Sequence, residues 1–453
     1  MYVFVGRTQE ITFLEEYYKR PGKQIIVVYG RQGIGKTELL RVFSKNKKYL
    51  YYNARECSEK EQIFSMRRDW EELYALEAQA LSFGSLFTEA AKEYELLIID
   101  EFNYIMKNSN SFMEGVLEAL NQKKENSKLM VILCSSSVNW VENDMVGTMG
   151  KAAFHISAFQ KIKELSFSDI VTRFPNYSVE DGIALYGILG GVPGYLNYWN
   201  DKRSIKDNIM ALFLHKDGRF YREAENFLKT ELRELALYNT ILATLAQEKL
   251  KLNDIYDRTG FSRAKISVYI KNLIQLDVVE KVFSYDTLGR ENTKKGLYRI
   301  KDRFLYFWYR FVFPNLSQLE YRKVEDVYRE KIEKEFDTYL AKYFVSVCQE
   351  YISLMSDFGK LNFKVERMGQ WFGKEGTIDF IGESNKKTYF VGKCKWDSTP
   401  MTEQDFEQLL NLIKQAEIEP DDYFLFSKSG FTSSLEVMAN GIDNLVLTTL
   451  EDL

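Results

Sequence analysis

The chain has 453 residues, too many for one ordinary hydrophobic core and enough for two to four domains. A hydrophobic fraction of 45% and a charged fraction of 28% exclude a disordered or fibrous protein. A net charge of −4 argues against a protein devoted to coating nucleic acid, although it leaves room for local basic patches. Six prolines and no Ser/Gly-rich tract leave little room for long linkers. The four cysteines, Cys57, Cys134, Cys348 and Cys394, have neither metal-ligand nor disulfide spacing, as in a reducing cytosol. Met1 to Arg7 shows no signal-peptide pattern, and the most apolar stretch, Phe304 to Phe313, contains Arg310 and is about half of a membrane span. The expectation is a cytoplasmic protein with no membrane contact.

In chain order, Ile25-Ile26-Val27-Val28-Tyr29 is a short β-branched run that predicts a buried parallel strand. It leads into Gly30-Arg31-Gln32-Gly33-Ile34-Gly35-Lys36-Thr37, a full match to G-x-x-x-x-G-K-[ST], and then into an amphipathic helix from Glu38. The glycines let backbone N–H groups turn inward around phosphates. Lys36 is placed for the β- and γ-phosphates and the Thr37 hydroxyl for Mg²⁺. The stretch Gly30 to Glu38 is therefore the candidate nucleotide-binding segment.

A second apolar strand, Leu96 to Ile99, ends in Asp100-Glu101 at the sheet edge where doubly wound folds bind ligands. Asp100 is the candidate magnesium ligand, and Glu101, with Lys36, the candidate catalytic pair, Glu101 polarising the attacking water. A third strand, Leu129 to Cys134, ends in Ser135-Ser136-Ser137, where Ser135 either senses the γ-phosphate or belongs to a plain serine turn. No N-K-x-D guanine-reading motif follows the second strand, which favours ATP over GTP.

Together with Phe4-Val5-Gly6-Arg7-Thr8-Gln9-Glu10 and Gly190-Gly191-Val192-Pro193-Gly194, these motifs resemble the archaeal-type ATPase family, a branch of P-loop ATPases near the STAND signalling class. The resemblance implies that the opening segment lies near the adenine and that Pro193, in a G-x-P turn on a helical lid, closes over the nucleotide. Arg7 either contacts nucleotide or forms a salt bridge on the first helix.

Residues 235–285 then read as three helices and the start of a hairpin, the outline of a winged helix. Its second long helix carries Arg263, Lys265 and Lys271, with Lys294 and Lys295 in the wing. These residues either meet DNA phosphates or form a solvated face. The aromatics from Tyr298 to Val312 resemble the segment that introduces a poorly defined C-terminal domain in this family, and are read as core or interdomain packing, with base stacking as the alternative.

The remainder resembles the PD-(D/E)XK nuclease fold, with Asp379 matching the first carboxylate and Lys395 the lysine. Lys393 stands where that pattern has Glu, which replaces a metal ligand by a repelling ammonium and implies loss of nuclease activity. Glu335 and Glu350 are the nearest substitutes for the missing carboxylate.

The fold expectation is a multidomain α/β protein. It comprises a P-loop NTPase parallel-sheet core (1–160), a helical lid with the G-x-P turn (161–230), a winged helix (231–300), an aromatic connector (301–330) and a restriction-endonuclease-like α/β domain (331–453). The functional expectation is an ATP-hydrolysing conformational switch using Mg²⁺, with a protein partner or homo-oligomer. The alternative is an ATP-regulated DNA-binding or DNA-processing protein that contacts DNA through the winged helix or the C-terminal domain.

Overall fold

The computed structural model describes residues 4–76, 81–109, 111–123, 127–248, 250–287 and 296–453. Two compact units emerge. One runs to Leu165 and takes in Val192–Asn197; the other comprises Ser166–Gly191 and Tyr198–Leu453.

The first unit is built on β1 (Lys23–Tyr29), β2 (Tyr49–Asn53), β3 (Leu96–Asp100), β4 (Leu129–Ser135) and β5 (Ala158–Lys161). They form a wholly parallel sheet in the order β2-β3-β4-β1-β5. β3 and β4 are buried at every position, the pattern of strands covered by helices on both faces. Among the helices, α1 (Thr8–Lys19) precedes β1, α2 (Lys36–Ser44) joins β1 to β2, and α3 (Glu59–Tyr74) and α4 (Phe83–Glu93) lie between β2 and β3. Ser58 and Ser82 cap α3 and α4 by accepting backbone N–H groups. Trp70, Phe83, Phe87 and Phe112 fill one contiguous core with the sheet, each worth about 2–3 kcal/mol of burial. This order sets the carboxyl ends of β1 and β3 on either side of β4, which brings the glycine loop and Asp100 to one edge.

In the second unit the helix Val179–Leu189 is buried from Gly182 onward and packs on the helices Arg303–Phe307 and Phe336–Asp357. Tyr339 donates its hydroxyl to the Gly187 carbonyl at 2.7 Å, and the Arg303 guanidinium lies 3.9 Å from the Tyr186 ring centre. Phe304, Phe307, Trp308 and Tyr309 are fully buried, and the Trp308 indole donates to the Tyr221 carbonyl at 3.0 Å. The aromatics from Phe304 to Phe311 are thus core. Residues 166–189, expected in a separate lid, share this core, because a helix apolar all round must be covered by other elements. Three π-helical stretches, Met210–Leu214, Trp308–Val312 and Tyr328–Glu333, continue the α-helices before them.

Helices Leu235–Leu245, Leu252–Thr259 and Arg263–Gln275 are followed by β6 (Val279–Val282), antiparallel to β7 (Leu297–Ile300). Lys294 and Lys295 lie outside the described residues. The last sheet has the order β12-β11-β10-β9-β8. Here β8 (Val365–Phe372), β9 (Thr377–Ser384) and β10 (Tyr389–Lys395) are antiparallel, while β11 (Pro420–Ser427) and β12 (Leu445–Thr449) run parallel to β10. No helix among the described residues is long and apolar enough to cross a membrane.

Candidate nucleotide site

Gly30 leaves β1 with its amide donated to the Ser135 carbonyl at 3.3 Å; a Cβ there would stand 2.7 Å from the Ile162 carbonyl oxygen, so no side chain fits. Gly33 and Gly35 have φ of 79° and 93°, left-handed values that favour glycine and turn successive amides to one side. Ile34 is buried and anchors the loop, while Gln32 lies exposed on its rim. At the start of α2 the amides of Lys36, Thr37 and Glu38 have no intrahelical acceptor by position and carry the positive end of the helix dipole. The Glu38 carboxylate is engaged by Arg41 at 2.6 Å on the exposed side of the helix, so this residue offers the loop its amide alone.

Lys36 is buried, with its ammonium donating to the Gly30 carbonyl (2.8 Å), the Arg31 carbonyl (3.2 Å) and Ser136 Oγ (3.0 Å). Asp100, at the end of β3, accepts the Thr37 hydroxyl on Oδ2 at 2.8 Å and the Glu101 amide on Oδ1 at 3.0 Å. The Tyr51 hydroxyl also donates to Oδ2, at 2.9 Å. Burial, and then the Asp100 charge, raise the pKa of the Tyr51 hydroxyl well above its ordinary value. Glu101 has a left-handed φ of 52°, and its carboxylate accepts the Ser136 amide at 3.0 Å and the Ser136 hydroxyl.

Ser136, the residue just past β4, and not the expected Ser135, stands beside Lys36 and Glu101. Ser135 is fully buried and turned to Asn103 Oδ1 at 2.8 Å, because the last position of a strand covered on both faces points into the packing. Arg7 takes the salt-bridge alternative. It is buried, pairs with Glu10 at 3.0 Å, and donates to the Lys163 and Ile34 carbonyls at 2.7 and 3.0 Å, which ties α1 to the loop. Arg31 reaches Glu164 at 3.5 Å and the Tyr195 hydroxyl at 3.3 Å. The Gly194 amide donates to the Gly33 carbonyl at 2.8 Å, and the Pro193 ring lies 3.6 Å from the position of a Cβ on Gly35. The G-x-P turn therefore sits directly on the glycine loop. Tyr51 and Ser136 escaped the sequence reading. The serine run gave a signal for the latter, and the only signal for Tyr51 was its place on a strand parallel to β3.

On the C-terminal sheet, Asp379 Oδ2 accepts the Cys394 amide at 2.8 Å. Lys393 donates to the Asp405 carbonyl (2.9 Å) and Gln408 (3.2 Å), and Lys395 to Asp405 Oδ2 (3.0 Å) and the Pro400 carbonyl (3.0 Å). Glu350 caps the helix Phe167–Arg173 through two amides at 3.0 Å, and Glu335 pairs with Arg310, so neither carboxylate is at Asp379. Among the described residues no group of three or more His, Cys, Asp or Glu is placed to hold a metal ion. Burial raises Asp379 to about 6, against the opposing pull of the Cys394 amide and the Lys393 ammonium. Unfolded Asp379 titrates near the ordinary carboxylate value, so between about pH 4 and 6 the folded state holds the extra proton. Stability then falls as pH rises through that window and stays lowered above it. Asp379→Asn is expected to raise stability at neutral pH by about 2 kcal/mol, with the gain vanishing below about pH 4, as read from thermal unfolding across pH.

A parallel sheet whose inner strand feeds a glycine loop into a helix, with lysine, threonine and an aspartate on a nearby strand, defines a P-loop ATPase domain. Residues 4–199 match the family model described as an ATPase domain predominantly from Archaea, and residues 308–409 match one for archaeal and bacterial proteins of unknown function. Residues 4–199 therefore form an archaeal-type P-loop ATPase domain, and residues 308–409 lie in a C-terminal domain of unknown function. It is 28% identical over 398 residues to an uncharacterised protein of Methanocaldococcus jannaschii, covering 87% of this chain and 88% of that one. Among solved structures it is similar to a Walker-type ATPase of Pyrococcus abyssi (16% identity, TM-score 0.49, 68% of this chain and 96% of that chain). It is also similar to the ORC2 protein of Aeropyrum pernix (14% identity, TM-score 0.45, 72% and 94%).

Proposed function

We propose that this ATPase binds ATP with Mg²⁺ on residues 30–38, hydrolyses it, and uses the nucleotide state as a conformational switch acting through Val192–Asn197. The residues present fit a magnesium nucleotide. The loop supplies inward amides and one ammonium, and two oxygen groups suited to Mg²⁺, the Thr37 hydroxyl and Asp100 Oδ2, stand 2.8 Å apart. Thr37 would hold the metal directly and Asp100 through water, and Mg²⁺ would supply neutralisation of the charge on the nucleotide phosphates. Lys36 exchanges carbonyl partners for phosphate oxygens. Glu101 accepts a proton from the attacking water, and Ser136 holds the glutamate and the lysine in one hydrogen-bonded relay.

The observation that carries the switch is the bond from Gly194 to Gly33. The chain leaves the second unit at Gly191, rests on the phosphate loop over Val192–Asn197, and rejoins the second unit at Tyr198. A loop that shifts with the γ-phosphate moves both chain ends. Amide hydrogen exchange over residues 190–198 is expected to be slower with a non-hydrolysable ATP analogue than with ADP; equal protection in the two states rules out this route. The C-terminal domain is proposed to have no nuclease activity, because Lys393 and Lys395 are matched by Asp405 where a metal site needs carboxylates.

A second reading, ATP-regulated DNA binding, draws on the helix Arg263–Gln275. It buries Ile266, Tyr269, Ile270 and Leu273 and leaves Arg263, Lys265 and Lys271 exposed, as the recognition helix of a winged helix would. Steady-state ATP hydrolysis with and without duplex DNA separates the readings. Stimulation by DNA that is lost in Lys265→Glu/Lys271→Glu favours the second, and indifference favours a switch that answers to a protein partner or to a second copy of the chain.

A further inference from the structure

Asp100 has a polar neighbour outside the loop motif. Tyr51 lies on β2, in parallel register with β3, opposite Ile98, while Asn53 stands opposite Asp100. By alternation Tyr49, Tyr51 and Asn53 share one face of β2. Leu50 and Tyr52 take the other face, where the Tyr52 hydroxyl donates to Gln62 at 2.7 Å. The strand is fixed from α3 by the Trp70 indole, which donates to the Tyr51 carbonyl at 3.0 Å. Held in this way, the Tyr51 hydroxyl donates at 2.9 Å to the same Asp100 oxygen that takes the Thr37 hydroxyl at 2.8 Å.

We infer that Tyr51 is a positioning residue for the magnesium site, fixing the Asp100 carboxylate so that Oδ2 stays aimed at Thr37 and Mg²⁺ is held tightly beside the nucleotide. The inference rests on the reading that Thr37 and Asp100 hold the metal. A carboxylate turns easily about its last torsion, whose preference is broad and two-fold. Oδ1 is pinned by one backbone amide, whereas the Thr37 hydroxyl on Oδ2 can itself rotate. Tyr51 supplies Oδ2 with the second donor, and that donor sits on a rigid ring anchored in the sheet. Hydrogen-bond partners behind a metal ligand typically change metal affinity by about 10–100-fold when removed.

The test is Tyr51→Phe in the full chain, with Mg²⁺ titrated against a fixed concentration of a fluorescent ADP analogue and, in parallel, against ATP hydrolysis. Half-saturating Mg²⁺ is expected to rise about ten-fold in both measurements. Nucleotide affinity in EDTA and the melting temperature without ligand stay at the wild-type values. Tyr49→Phe, on the same face of the strand, leaves the Mg²⁺ dependence unmoved. A half-saturating Mg²⁺ equal to or below the wild-type value overturns the inference, as does a lowered melting temperature with no change in Mg²⁺ dependence. Thr37→Ala in the same titration separates the two levels. If it shifts the Mg²⁺ dependence and Tyr51→Phe does not, only the role of Tyr51 fails. If neither shifts it, the magnesium reading itself fails.

Discussion

Lys36→Ala is expected to weaken ATP binding by about 100-fold or more and to remove hydrolysis with it. The ammonium directs its donors into the glycine loop and its Ser136 neighbour, at 2.8, 3.2 and 3.0 Å. Charge-assisted bonds to phosphate are worth about 1.5–3 kcal/mol each, and each 1.4 kcal/mol is about ten-fold in affinity. Two such bonds lost give the expected change. Titration with a fluorescent ATP analogue measures it directly. The same truncation leaves the Gly30 and Arg31 carbonyls without this donor, so a lower melting temperature in the absence of nucleotide is also expected. Lys36→Arg keeps the charge but brings a planar fork in place of a compact ammonium, and is expected to recover stability more than binding. Wild-type affinity in Lys36→Ala places the nucleotide elsewhere.

The candidate nucleotide site was legible in the sequence to the extent that its geometry is backbone geometry. Left-handed conformations at Gly33 and Gly35 and the tight approach at Gly30 leave little choice of residue, so the loop appears as a pattern. The same holds for the strand ending in Asp100, whose apolar run and acidic terminus both follow from its place in the sheet. Which serine after β4 faces the lysine was not legible. β4 is buried at all seven positions, so hydrophobic alternation, the only sequence signal for side-chain direction in a strand, is absent. Ser136 stands at Lys36, and Ser135 turns to Asn103. Tyr51 was hidden for a related reason, since a tyrosine in Tyr-Leu-Tyr-Tyr reads as strand packing until the neighbouring strand is known.

Long-range grouping was the other blind spot. The run from Gly182 to Leu189 looks like part of a helical lid when read locally, and its apolar character says only that it is covered, without naming the partner. The partners are the aromatic helix Arg303–Phe307 and the helix Phe336–Asp357, more than a hundred residues further along the chain. The short Val192–Asn197 segment is set apart by two features a pattern cannot show, a backbone bond to Gly33 and the close approach of Gly194 to the Gly33 backbone. On the C-terminal sheet the substitution at Lys393 was visible in the sequence, but the answering Asp405, drawn from a helix ten residues beyond the strand, was not.

Glu101→Gln is expected to lower the turnover number by about 100- to 10,000-fold while ATP binding stays within a few-fold of wild type. The argument turns on what the carboxylate touches. Its oxygens accept from the Ser136 amide and hydroxyl, whereas Lys36 and Thr37, which carry the phosphates and the metal in the proposed site, have their hydrogen bonds to Ser136 and the loop carbonyls and to Asp100. A glutamine keeps one acceptor for Ser136 and the same size, and it inherits the left-handed backbone at no new cost. What it lacks is the ability to take a proton from water. Single-turnover hydrolysis measured beside equilibrium ATP binding reads the two effects separately. A bound, unhydrolysed ATP in Glu101→Gln also gives the switch its sharpest test, because hydrogen exchange over residues 190–198 should then show the ATP pattern without an analogue. If the variant turns ATP over at the wild-type rate, another group activates the water and the assignment of Glu101 fails. If it neither binds nor hydrolyses ATP, the glutamate serves the architecture of the loop through Ser136 instead.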